Sequence, residues 1–577
     1  MEFKKKYESN TLAGIIAERS GISIDEFLHP DSEPFLYGLK ESVEFIKQCI
    51  QDGSDIHIFA DYDCDGIMSG SILFHALSEY LSLSGKKQKI TIRFPKRFTE
   101  GYGISESAVN KFDHGLLITV DNGITAIDPI QKAKEKGMHV VVFDHHLAGG
   151  TLPSADVIVD PHIETKSDFS QYCGAGIAFR FAKEILPKES PILDKLLVLA
   201  GIATVADMVP LYGANRYLVQ QSLQLINSGI GTDGLRALLR MLNCGSITEE
   251  TYGYLLGPVC NASGRILDDG AKDVFQLISR DLDKFSLTYD QDFLSLHDKA
   301  EILIERNEKR KEMTQKALQE IQTYIELHKE VLEHSVLVFQ YGSVESLGIV
   351  GLVAGELVEQ YQKPAFVFAK TSIPGVISGS ARTYGNIHLK NEILEPSGNL
   401  LLSAGGHAAA AGAKMYESNL KSFQEKLDTL IPVFKNEPVV FYDMEKNIKD
   451  IPDLFQKEKE MGPFGVGNEK PVYLIRDFSL SPVQGKFYEV KGKKKTDLKL
   501  YNEVCNAYGY DLYQKYADMG TPKHLNLLVR LKVNEFRGRQ YTILELIDFS
   551  SAEEEKKGSK LQKQFSDLLN FTKREFL

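Results

Sequence analysis

The stretch HIFADYDCDGIMSGSIL, residues 57–73, places aspartates at positions 61, 63 and 65 and a glycine at 66. The pattern D-x-D-x-D-G also begins a calcium-binding EF-hand loop, which needs a preceding helix and a bidentate Glu at its twelfth position. Here the twelfth position is Ile72, and the residues before Asp61 alternate as a short buried strand does. The residues after the aspartates are typical of a helix. The stretch therefore predicts carboxylates on a strand-to-helix turn, where open α/β sheets bind ligands.

Further polar residues follow two more predicted strands, LLITVDNG and HVVVFDHHLAGG, and lie in one apolar helical segment, LDKLLVLAGIATVADMVPL. They are Asp121, Asp144, His145, His146 and Asp207. Strand-like and helix-like segments alternate from about residue 55 to 210, which favours a mostly parallel sheet. Parallel strands bring their carboxyl ends to one edge, so we expect these side chains to meet there. A carboxylate at Asp207 would be costly to bury without a partner.

The composition excludes several classes of protein. The chain has 577 residues, enough for several domains, and 43% of them are apolar, as in ordinary globular proteins. A net charge of −12 argues against a protein that coats nucleic acid, although a local basic channel is compatible with it. The six cysteines form no C-x-x-C pair, so neither structural zinc nor a disulfide framework is predicted. No apolar run would span a bilayer and no signal peptide begins the chain, so we expect a cytoplasmic protein without membrane contact.

The predicted organisation is an α/β fold in several parts. Residues 294–330 contain no Pro or Gly and are rich in strong helix formers, which predicts one long helix between two lobes. Strand-like pieces from residue 438 onward predict a small antiparallel β-barrel or sandwich. The expected parts are a mostly parallel-sheet domain with an N-terminal segment at 1–290, the connecting helix at 291–330, a second α/β domain at 331–436, the β-domain at 437–551 and a charged helical tail at 552–577.

The carboxylates and histidines suit a particular metal chemistry. The candidate ligands are Asp63, Asp65, Asp121, His145 and Asp207. Oxygen ligands with one imidazole suit Mn²⁺ or Mg²⁺ better than structural zinc. Two such ions roughly 3.5–4 Å apart activate a water molecule and stabilise the leaving oxygen of a phosphoryl centre. His146 is expected to contact the phosphate or its leaving group, with Asp63 and Asp121 as the other catalytic residues. A single Asp at the end of a strand is more often a helix cap or turn former than a ligand. That interpretation is improbable for all of these residues together, because they lie in four segments that converge on one edge of the sheet.

Four motifs carry a resemblance to a known family. DYDCDG, VDNG, DHH and ATVADMVPL occur in this order and resemble the motifs of the DHH phosphoesterase superfamily. FPKRFTEGYGIS, YCGAGIAFRFA, GPVCNASGRI, ERNEKRKEM, SGSART, SAGGHAAAAG and MGPFGVGNEKPV are similar to segments of its RecJ branch, the single-stranded-DNA-specific exonucleases. The resemblance covers nearly everything from residue 20 to 550. It implies a DHH domain, a DHHA1 domain and an OB-fold, and it matches the five candidate ligands and His146 to the family's own. Asp61 is present in the first motif as well.

The resemblance also implies residues that hold the 5′ end of a strand and its neighbouring phosphates. They are Arg97, Arg265, Ser380, Arg382 and His407. A guanidinium suits a terminal phosphate because it donates two parallel hydrogen bonds. His407 lies in SAGGHAAAAG, whose small residues permit close approach of the backbone. The alternative interpretation of this segment is a tightly packed helix start.

A basic stretch in the OB region implies a strand-binding groove with an aromatic platform. Its residues are Lys486, Phe487, Lys493, Lys494 and Lys495, and a solvated loop is the alternative interpretation. Two positions depart from the family pattern. Phe59 stands where some relatives have a metal-binding His, and Glu345 and Ser346 stand where the family commonly has an aromatic residue and a His.

The expected function is degradation of single-stranded DNA from the 5′ end to 5′-mononucleotides, in repair and recombination, by a monomer holding two Mn²⁺ or Mg²⁺ ions. A helicase or a single-strand-binding protein is the expected partner. One alternative is a DHH phosphodiesterase acting on oligoribonucleotides or cyclic dinucleotides, which would need neither the long helix nor the β-domain. The other is a non-catalytic nucleic-acid scaffold, against which the intact ligand set argues.

Overall fold

The protein is described here by a computed structural model that covers residues 3–163, 166–280, 295–432, 440–483, 486–487, 489–491, 496–536 and 539–552. The chain forms two compact units: a larger unit of residues 31–436 and a smaller unit that combines residues 1–30 with 437–577. A division at residue 30 was not among the expected boundaries. In the described part of the chain, no helix combines the length and the apolar character needed to cross a membrane.

The first lobe of the larger unit is built on a parallel sheet. The chain reaches it after three elements of the smaller unit, β1 (Phe3–Lys5), α1 (Leu12–Ser20) and α2 (Ile24–Leu28). The strands of the sheet are β2 (Ile56–Ala60), β3 (Ile90–Arg93), β4 (Leu116–Val120), β5 (His139–Phe143) and β6 (Val157–Val159). Their order is β3-β2-β4-β5-β6, and every pairing is parallel. The predicted parallel sheet is confirmed.

Helices cover both faces of this sheet. They are α3 (Leu39–Gln51), α4 (Cys64–Leu83), α5 (Glu106–Val109), α6 (Ile127–Glu135), α7 (Gly174–Ile185), α8 (Ile192–Ala206), α9 (Gly213–Asn227), α10 (Asp233–Met241), α11 (Glu249–Thr251), α12 (Gly257–Ile266) and α13 (Gly270–Ile278). A π-helical turn, Tyr252–Leu256, joins α11 to α12. All five residues of β4 are buried, because helices cover both faces of this strand. Its sequence is therefore mostly apolar and does not alternate between apolar and polar residues. Ile58 packs into the core that includes α4 and α7, and the next residue, Phe59, packs into the opposite core with α6.

A single helix, α14 (Leu296–Leu327), connects the two lobes of the larger unit. Ser295 caps its start, accepting a hydrogen bond from the backbone of Asp298, whose side chain accepts one in return. Its first turns place Ala300 and Leu303 in the core of the first lobe. Later turns place Ile321 and other apolar residues in the core of the second lobe. The long helix predicted at 294–330 is present.

The second lobe contains a mixed five-stranded sheet. Its strands are β7 (Leu337–Gln340), β8 (Ala365–Lys370), β9 (Val376–Arg382), β10 (Leu401–Gly406) and β11 (Ala410–Tyr416), and its helices are α15 (Val350–Tyr361) and α16 (Leu420–Leu430). The strand order is β10-β11-β9-β8-β7, with only β7 and β8 paired in parallel among these described strands. Separate apolar cores fill its two faces. This lobe is the predicted second α/β region.

The smaller unit is dominated by β-structure. Its remaining elements are β12 (Val440–Tyr442), β13 (Met444–Lys446), α17 (Ile451–Met461), β14 (Tyr473–Ser479), β15 (Pro482–Val483), β16 (Lys486–Phe487), β17 (Glu489–Lys491), β18 (Leu498–Leu500), β19 (Ala507–Gly509), α18 (Tyr513–Asp518), β20 (His524–Phe536) and β21 (Arg539–Ser551). Seven strands form one sheet in the order β13-β14-β20-β21-β19-β18-β17. Two of its pairings, β13–β14 and β19–β21, are parallel, so the expectation of a purely antiparallel sheet is wrong. The predicted tail at 552–577 lies outside the described residues beyond Ala552.

Candidate metal centre and active site

The ends of three central strands and one helix bring the predicted ligands together. Asp61 and Asp63 follow β2, Asp121 follows β4, His145 and His146 follow β5, and Asp207 follows the last residue of α8. Within three overlapping groups, ligand atoms of every member lie within 4.8 Å of one another. The groups are Asp65 with His145 and Asp207; Asp61 with Asp63 and Asp121; and Asp121 with His145 and His146. All five predicted ligands and the predicted substrate-facing histidine therefore occupy one edge of the sheet.

Two helix starts hold the carboxylates of the first motif. Asp63 caps α4, and its side chain accepts a hydrogen bond from the backbone nitrogen of Gly66 at 3.1 Å. A Cβ at Gly66 would lie only 2.4 Å from the backbone oxygen of Asp61, so the turn requires glycine there. The carboxylate of Asp65 accepts from the first two backbone nitrogens of α7, those of Gly174 at 2.6 Å and Ala175 at 2.8 Å. The positive ends of two helices thus favour negative charge at this edge.

Asp121 adopts a left-handed backbone conformation, with a φ of 58°. Such a conformation is uncommon for a residue other than glycine and is concentrated at functional sites. Its backbone nitrogen donates to the carbonyl of Phe143 at 3.0 Å, and its carbonyl accepts from the hydroxyl of Tyr102 at 3.2 Å. The turn directs the Asp121 carboxylate to the Nε2 atom of His145, 3.1 Å away.

The acidic residues raise one another's pKa. Burial, followed by the charge of Asp63, raises the pKa of Asp65 to about 6. Burial and neighbouring carboxylates also raise the pKa of Asp61, Asp121 and Asp207 well above the ordinary value. The Oδ1 atom of Asp61 is buried and has no hydrogen-bond partner among the described residues. A concentration of buried negative charge with an unused ligand atom fits divalent cations, which would supply the missing positive charge.

The two histidines have opposite charge preferences. Burial, assisted by the charge of His146, lowers the pKa of His145 to about 3, so this ring is neutral at neutral pH, the form in which imidazole binds a metal. Its Nε2 atom lies 3.7 Å from the carboxylate of Asp65 and 3.8 Å from that of Asp207. Burial also acts to lower the pKa of His146, but the hydrogen bond to Asp144 and the negative charges of Asp144, Asp207 and Asp63 together outweigh it and raise the pKa to about 9. His146 is therefore a cation at neutral pH.

Asp144 and Tyr102 belong to the site although the sequence analysis gave neither a role. Asp144 is buried, and its Oδ1 atom accepts from the Nδ1 atom of His146 at 2.8 Å and from the backbone nitrogen of His145 at 2.8 Å. The hydroxyl of Tyr102 lies 3.2 Å from the Nε2 atom of His146. Asp144 is the first residue of the DHH motif, and Tyr102 is the tyrosine in FPKRFTEGYGIS, so both lie in segments that carry the family resemblance.

Arg97 and Arg265 line the first lobe beside this centre. The guanidinium of Arg97 stacks on the ring of Tyr62, 4.1 Å from its centroid, and its Nε atom is buried without a partner among the described residues. The loop that carries Arg97 is fastened by Asp268, which accepts from the backbone nitrogen of Phe98 at 2.8 Å. Arg265 donates from Nη1 to the carbonyl of Gly348 in the second lobe at 3.2 Å.

Ser380 and Arg382 lie on β9 of the second lobe, next to the start of α15. A Cβ at Gly351 would lie 3.2 Å from the Nη2 atom of Arg382 and 3.4 Å from the Oγ atom of Ser380, so a glycine keeps this corner open. Arg382 fixes one end of its guanidinium by donating from Nη1 to the carbonyl of Ala381 at 2.8 Å. Its Nη2 atom lies beside Gly351 at this corner.

His407 lies in the turn between β10 and β11, so the alternative interpretation of SAGGHAAAAG as a helix start is wrong. Gly406 has a φ of 133°, which ends β10 and prevents helix formation there. The side chain of His407 is exposed. Burial, followed by the charges of His146 and Arg382, lowers the pKa of His407, which puts this second-lobe residue within electrostatic range of both. The structure thus brings His407, Arg382 and the metal centre to one region of the larger unit.

The remaining candidates are the two departures from the family pattern and the basic stretch of the OB region. Phe59 is fully buried in an apolar core and cannot replace the metal-binding His of some relatives. Glu345 is exposed and Ser346 is buried, both in the short 3-10 helix Val344–Gly348. The side chains of Lys486 and Phe487 and all of Lys493, Lys494 and Lys495 lie outside the described residues, so the predicted groove stays a prediction.

Three family models match the chain. They are the DHH family, N-terminal domain, at residues 55–204; the DHHA1 domain at residues 333–432; and the RecJ OB domain at residues 442–548. The OB domain confirms the expected class of the C-terminal β-region, and the DHH domain contains most of the candidate ligands.

Curated relatives and a solved structure agree with these matches. The chain is 30% identical over 568 residues to the single-stranded-DNA-specific exonuclease RecJ of Haemophilus influenzae, covering 91% of this chain and 92% of that one. It is 28% identical over 543 residues to the RecJ of Bacillus subtilis, where it spans about two thirds (66%) of the relative and 91% of itself. The crystal structure of Thermus thermophilus RecJ in complex with Mn²⁺ superposes with a TM-score of 0.76 at 23% identity, covering 94% of this chain and 76% of that one. The chain belongs to the RecJ family.

Proposed function

We propose that the chain is a metal-dependent exonuclease specific for single-stranded DNA, which hydrolyses phosphodiester bonds from the 5′ end and releases 5′-mononucleotides. The observation that carries the proposal is the convergence of Asp63, Asp65, Asp121, His145 and Asp207 at one sheet edge, beside arginines from both lobes. The relatives in the same family are named single-stranded-DNA-specific exonucleases. The roles given below to single residues are part of the proposal.

The residues present fit two divalent ions, Mn²⁺ or Mg²⁺. Asp65, His145 and Asp207 would hold one ion, and Asp61, Asp63 and Asp121 the other, in line with their grouping. When bound, the two ions would polarise a water molecule and stabilise the charge on the leaving oxygen. The backbone N–H groups of α7 hold the Asp65 carboxylate in place by donating to both of its oxygens.

His146 acts on the phosphate. Its Nδ1 atom is hydrogen-bonded to Asp144, so Nε2, which lies 3.2 Å from the hydroxyl of Tyr102, is the atom that would donate to a phosphate. A cationic imidazole donates a strong hydrogen bond to a phosphate oxygen and can pass a proton to the departing oxygen. Arg97, Arg265, Ser380, Arg382 and His407 hold the 5′ end, because guanidinium groups match the geometry of a terminal phosphate.

Single-strand selectivity and cellular setting complete the proposal. The cleft between the two lobes of the larger unit would accept one strand, and the OB domain would bind the incoming strand. We propose a monomer that works in the cytoplasm in repair and recombination, receiving its strand from a helicase or a single-strand-binding protein. The proposed domain division is that of the sequence analysis, with residues 1–30 reassigned to the smaller unit.

One oligonucleotide tests the reaction class and its direction. The same single strand is labelled at the 5′ end in one sample and at the 3′ end in another, and each is incubated with Mn²⁺ beside a matching blunt duplex and an RNA strand. We expect immediate release of labelled mononucleotide from the 5′ label, a shortening ladder from the 3′ label, and an intact duplex.

Three other results would each contradict the proposal in a different way. Release of mononucleotide from the 3′ label first would overturn the direction. Digestion confined to very short RNA or cyclic dinucleotides would indicate the phosphodiesterase. Tight strand binding without cleavage at any Mn²⁺ or Mg²⁺ concentration would indicate the non-catalytic scaffold.

A further inference from the structure

A small pocket with two arginines and an asparagine in its lining lies beside the candidate metal centre, in the larger unit. Its volume is about 150 Å³, and its lining includes Ala206, Gly253, Gly257, Asn261, Arg265 and Arg310. Pockets that enclose whole small molecules are usually about 300–1,000 Å³. This one therefore has room for a compact group such as a phosphate, and it is too small to enclose a nucleoside.

The pocket is connected to the predicted ligands on two sides. Ala206 immediately precedes Asp207. Asn261 accepts a hydrogen bond from the backbone nitrogen of Cys64 at 2.7 Å, next to Asp63, so the amide nitrogen of Asn261 remains as a donor. A Cβ at Gly257 would lie 3.1 Å from the Cβ of Ala206, so small residues keep the wall close to the metal centre.

The charge in the pocket is positive. Burial, together with the nearby positive charges of Arg97 and Arg310 and against the charge of Asp63, lowers the pKa of Arg265 to about 10, so this guanidinium remains a cation at neutral pH. Among the described residues, neither Arg265 nor Arg310 forms an ion pair with a carboxylate. Clustered, partly buried cations without such partners are unfavourable unless an anion joins them.

The guanidinium of Arg310 is already oriented. Its Nη2 atom donates to the Oδ1 atom of Asn307, one turn earlier on α14, at 2.7 Å. Five donors are available on a guanidinium, so this bond leaves others for a ligand. Leu352, from the first turn of α15, adds the second lobe to the lining, so the pocket lies along the same cleft as the proposed strand path.

We propose that Arg310, with Arg265 and Asn261, binds a phosphate group of the DNA strand in this pocket. The inference rests on the proposed function. It adds a further strand-binding residue, Arg310, on the helix α14 that connects the two lobes. The bound phosphate neutralises the arginine cluster and fixes the strand beside Asp207, so Arg310 contributes to binding and register, and the chemical step depends on it only through that register.

The test is a double-mutant cycle between protein and DNA. The full chain carrying Asp121→Asn, which we expect not to cleave, serves as the background for Arg310→Gln, Arg310→Lys and the control Lys309→Gln. Lys309 is an exposed cation on the neighbouring position of α14, so its variant removes the same charge without touching the pocket. Dissociation constants are measured with single strands in which one phosphate at a time is a neutral methylphosphonate, and with strands that end in 5′-phosphate or 5′-hydroxyl.

We expect Arg310→Gln to weaken binding of the unmodified strand about tenfold or more, because a hydrogen bond to a charged group is lost. The slope of log affinity against log salt should become shallower by about 0.7, the value for one phosphate of a single strand. One phosphate should show coupling: neutralising it weakens binding by the control protein but not by the Arg310→Gln protein. Arg310→Lys should keep part of the affinity and of the salt slope, because it retains the positive charge but loses the two parallel N–H donors of the guanidinium.

The arms of the experiment separate the possible outcomes. Coupling to the terminal phosphate or to one internal linkage supports the inference and identifies the group that is bound. Equal effects of Arg310→Gln and Lys309→Gln at every linkage would overturn it while leaving the exonuclease proposal intact. Failure of the background protein to bind single-stranded DNA, together with no cleavage by the unmodified chain, would instead overturn the proposed function.

Discussion

Asp144 is buried beneath the two histidines and organises them without facing the cleft. Its Oδ1 atom accepts from both histidine backbone nitrogens and from the Nδ1 atom of His146, and its Oδ2 atom accepts from the backbone nitrogen of Ile124 at 2.9 Å. Burial acts to raise the pKa of Asp144, but the hydrogen bond and charge of His146 outweigh it and lower the pKa below the ordinary value. At the scale of single residues, this carboxylate is a positioning residue that sets the charge and the orientation of His146.

Replacing Asp144 by Asn should change both the rate and its pH dependence. We expect kcat to fall about 10- to 100-fold, as for other carboxylates that orient a site histidine. The protonated form of His146 is the one proposed to act, so activity falls as pH rises through its pKa of about 9. Without the carboxylate that pKa moves toward the ordinary value near 6.5, so the fall should begin at lower pH. Rates measured from pH 6 to 10 check this, with Asp194→Asn, an exposed carboxylate on α8, as the control.

An unchanged pH profile in Asp144→Asn, with only a uniform loss of rate, would contradict the assignment of Asp144 to His146. A merely structural role would produce that uniform loss of rate together with a lower Tm. A positioning role should instead shift the dependence of rate on pH to lower pH at a nearly constant Tm.

At the scale of elements, the start of α7 makes a close contact with two of the candidate ligands. A Cβ at Gly174 would lie 2.9 Å from the Cβ of Asp121 and 3.1 Å from the Oδ2 atom of Asp65. The helix therefore approaches both ligands closely only because its first residue has no side chain. Its two free N–H groups reach Asp65 for the same reason.

Gly174→Ala should push α7 away from the ligands. We expect a loss of about 1–3 kcal/mol in the free energy of unfolding, typical of overpacking, and a weaker affinity for Mn²⁺. Gly355→Ala, within α15, is the control, since no atom lies within 4 Å of the added Cβ and alanine is the better helix former. It should leave activity unchanged and stability equal or slightly higher. Equal Mn²⁺ affinity in Gly174→Ala and the unmodified chain would contradict this account of the contact.

Local patterns in the sequence predicted some elements and not others. The apolar runs before Asp61, Asp121 and Asp144 predicted β2, β4 and β5, because strands buried on both faces admit few polar residues. The SAGGHAAAAG segment allowed a helix start, since alanine favours helices, but the positive φ of Gly406 and pairing with β9 make it a hairpin. The parallel pairing of β19 with β21 was also missed, because partner choice between distant strands depends on the whole sheet.

At the scale of the whole molecule, the cluster of acidic residues opposes folding until a counter-charge is bound. Five buried or half-buried carboxylates from separate parts of the first lobe face one another, and burial with mutual repulsion raises the pKa of four of them. An ion that binds only the folded chain adds to stability according to its concentration relative to its Kd.

Thermal unfolding should therefore depend on Mn²⁺. We expect Mn²⁺ at 100 times its Kd to stabilise the chain by about 2.7 kcal/mol per ion, and so to raise the Tm above that in EDTA. Asp207→Asn should reduce this rise, yet its Tm in EDTA should equal or exceed that of the unmodified chain, because one repelling charge is gone. Calorimetry with and without Mn²⁺ measures both quantities, and Asp194→Asn should behave as the unmodified chain. A lower Tm of Asp207→Asn in EDTA would contradict the repulsion account.

Much of the site was accessible from the sequence because its residues end strands or lie in motifs of the family. Asp63, Asp121 and His145 are far apart in the chain, yet parallel strands bring their ends to one edge. Arg310 lies in ERNEKRKEM, one of the segments similar to the RecJ branch, but charged residues occur throughout α14, and only the packing of α12, α14 and α15 distinguishes this arginine from its exposed neighbours. Tyr102 was missed for a related reason, because a loop places it.

The central claim is that the acidic cluster is the centre that cleaves the strand. The most direct measurement compares Asp121→Asn with Asp194→Asn on one 5′-labelled single strand in Mn²⁺, recording both cleavage and strand binding. The account predicts that Asp121→Asn loses at least about a hundredfold in kcat while its Kd for the strand changes little, and that Asp194→Asn matches the unmodified chain in both. Full activity in Asp121→Asn would contradict the claim.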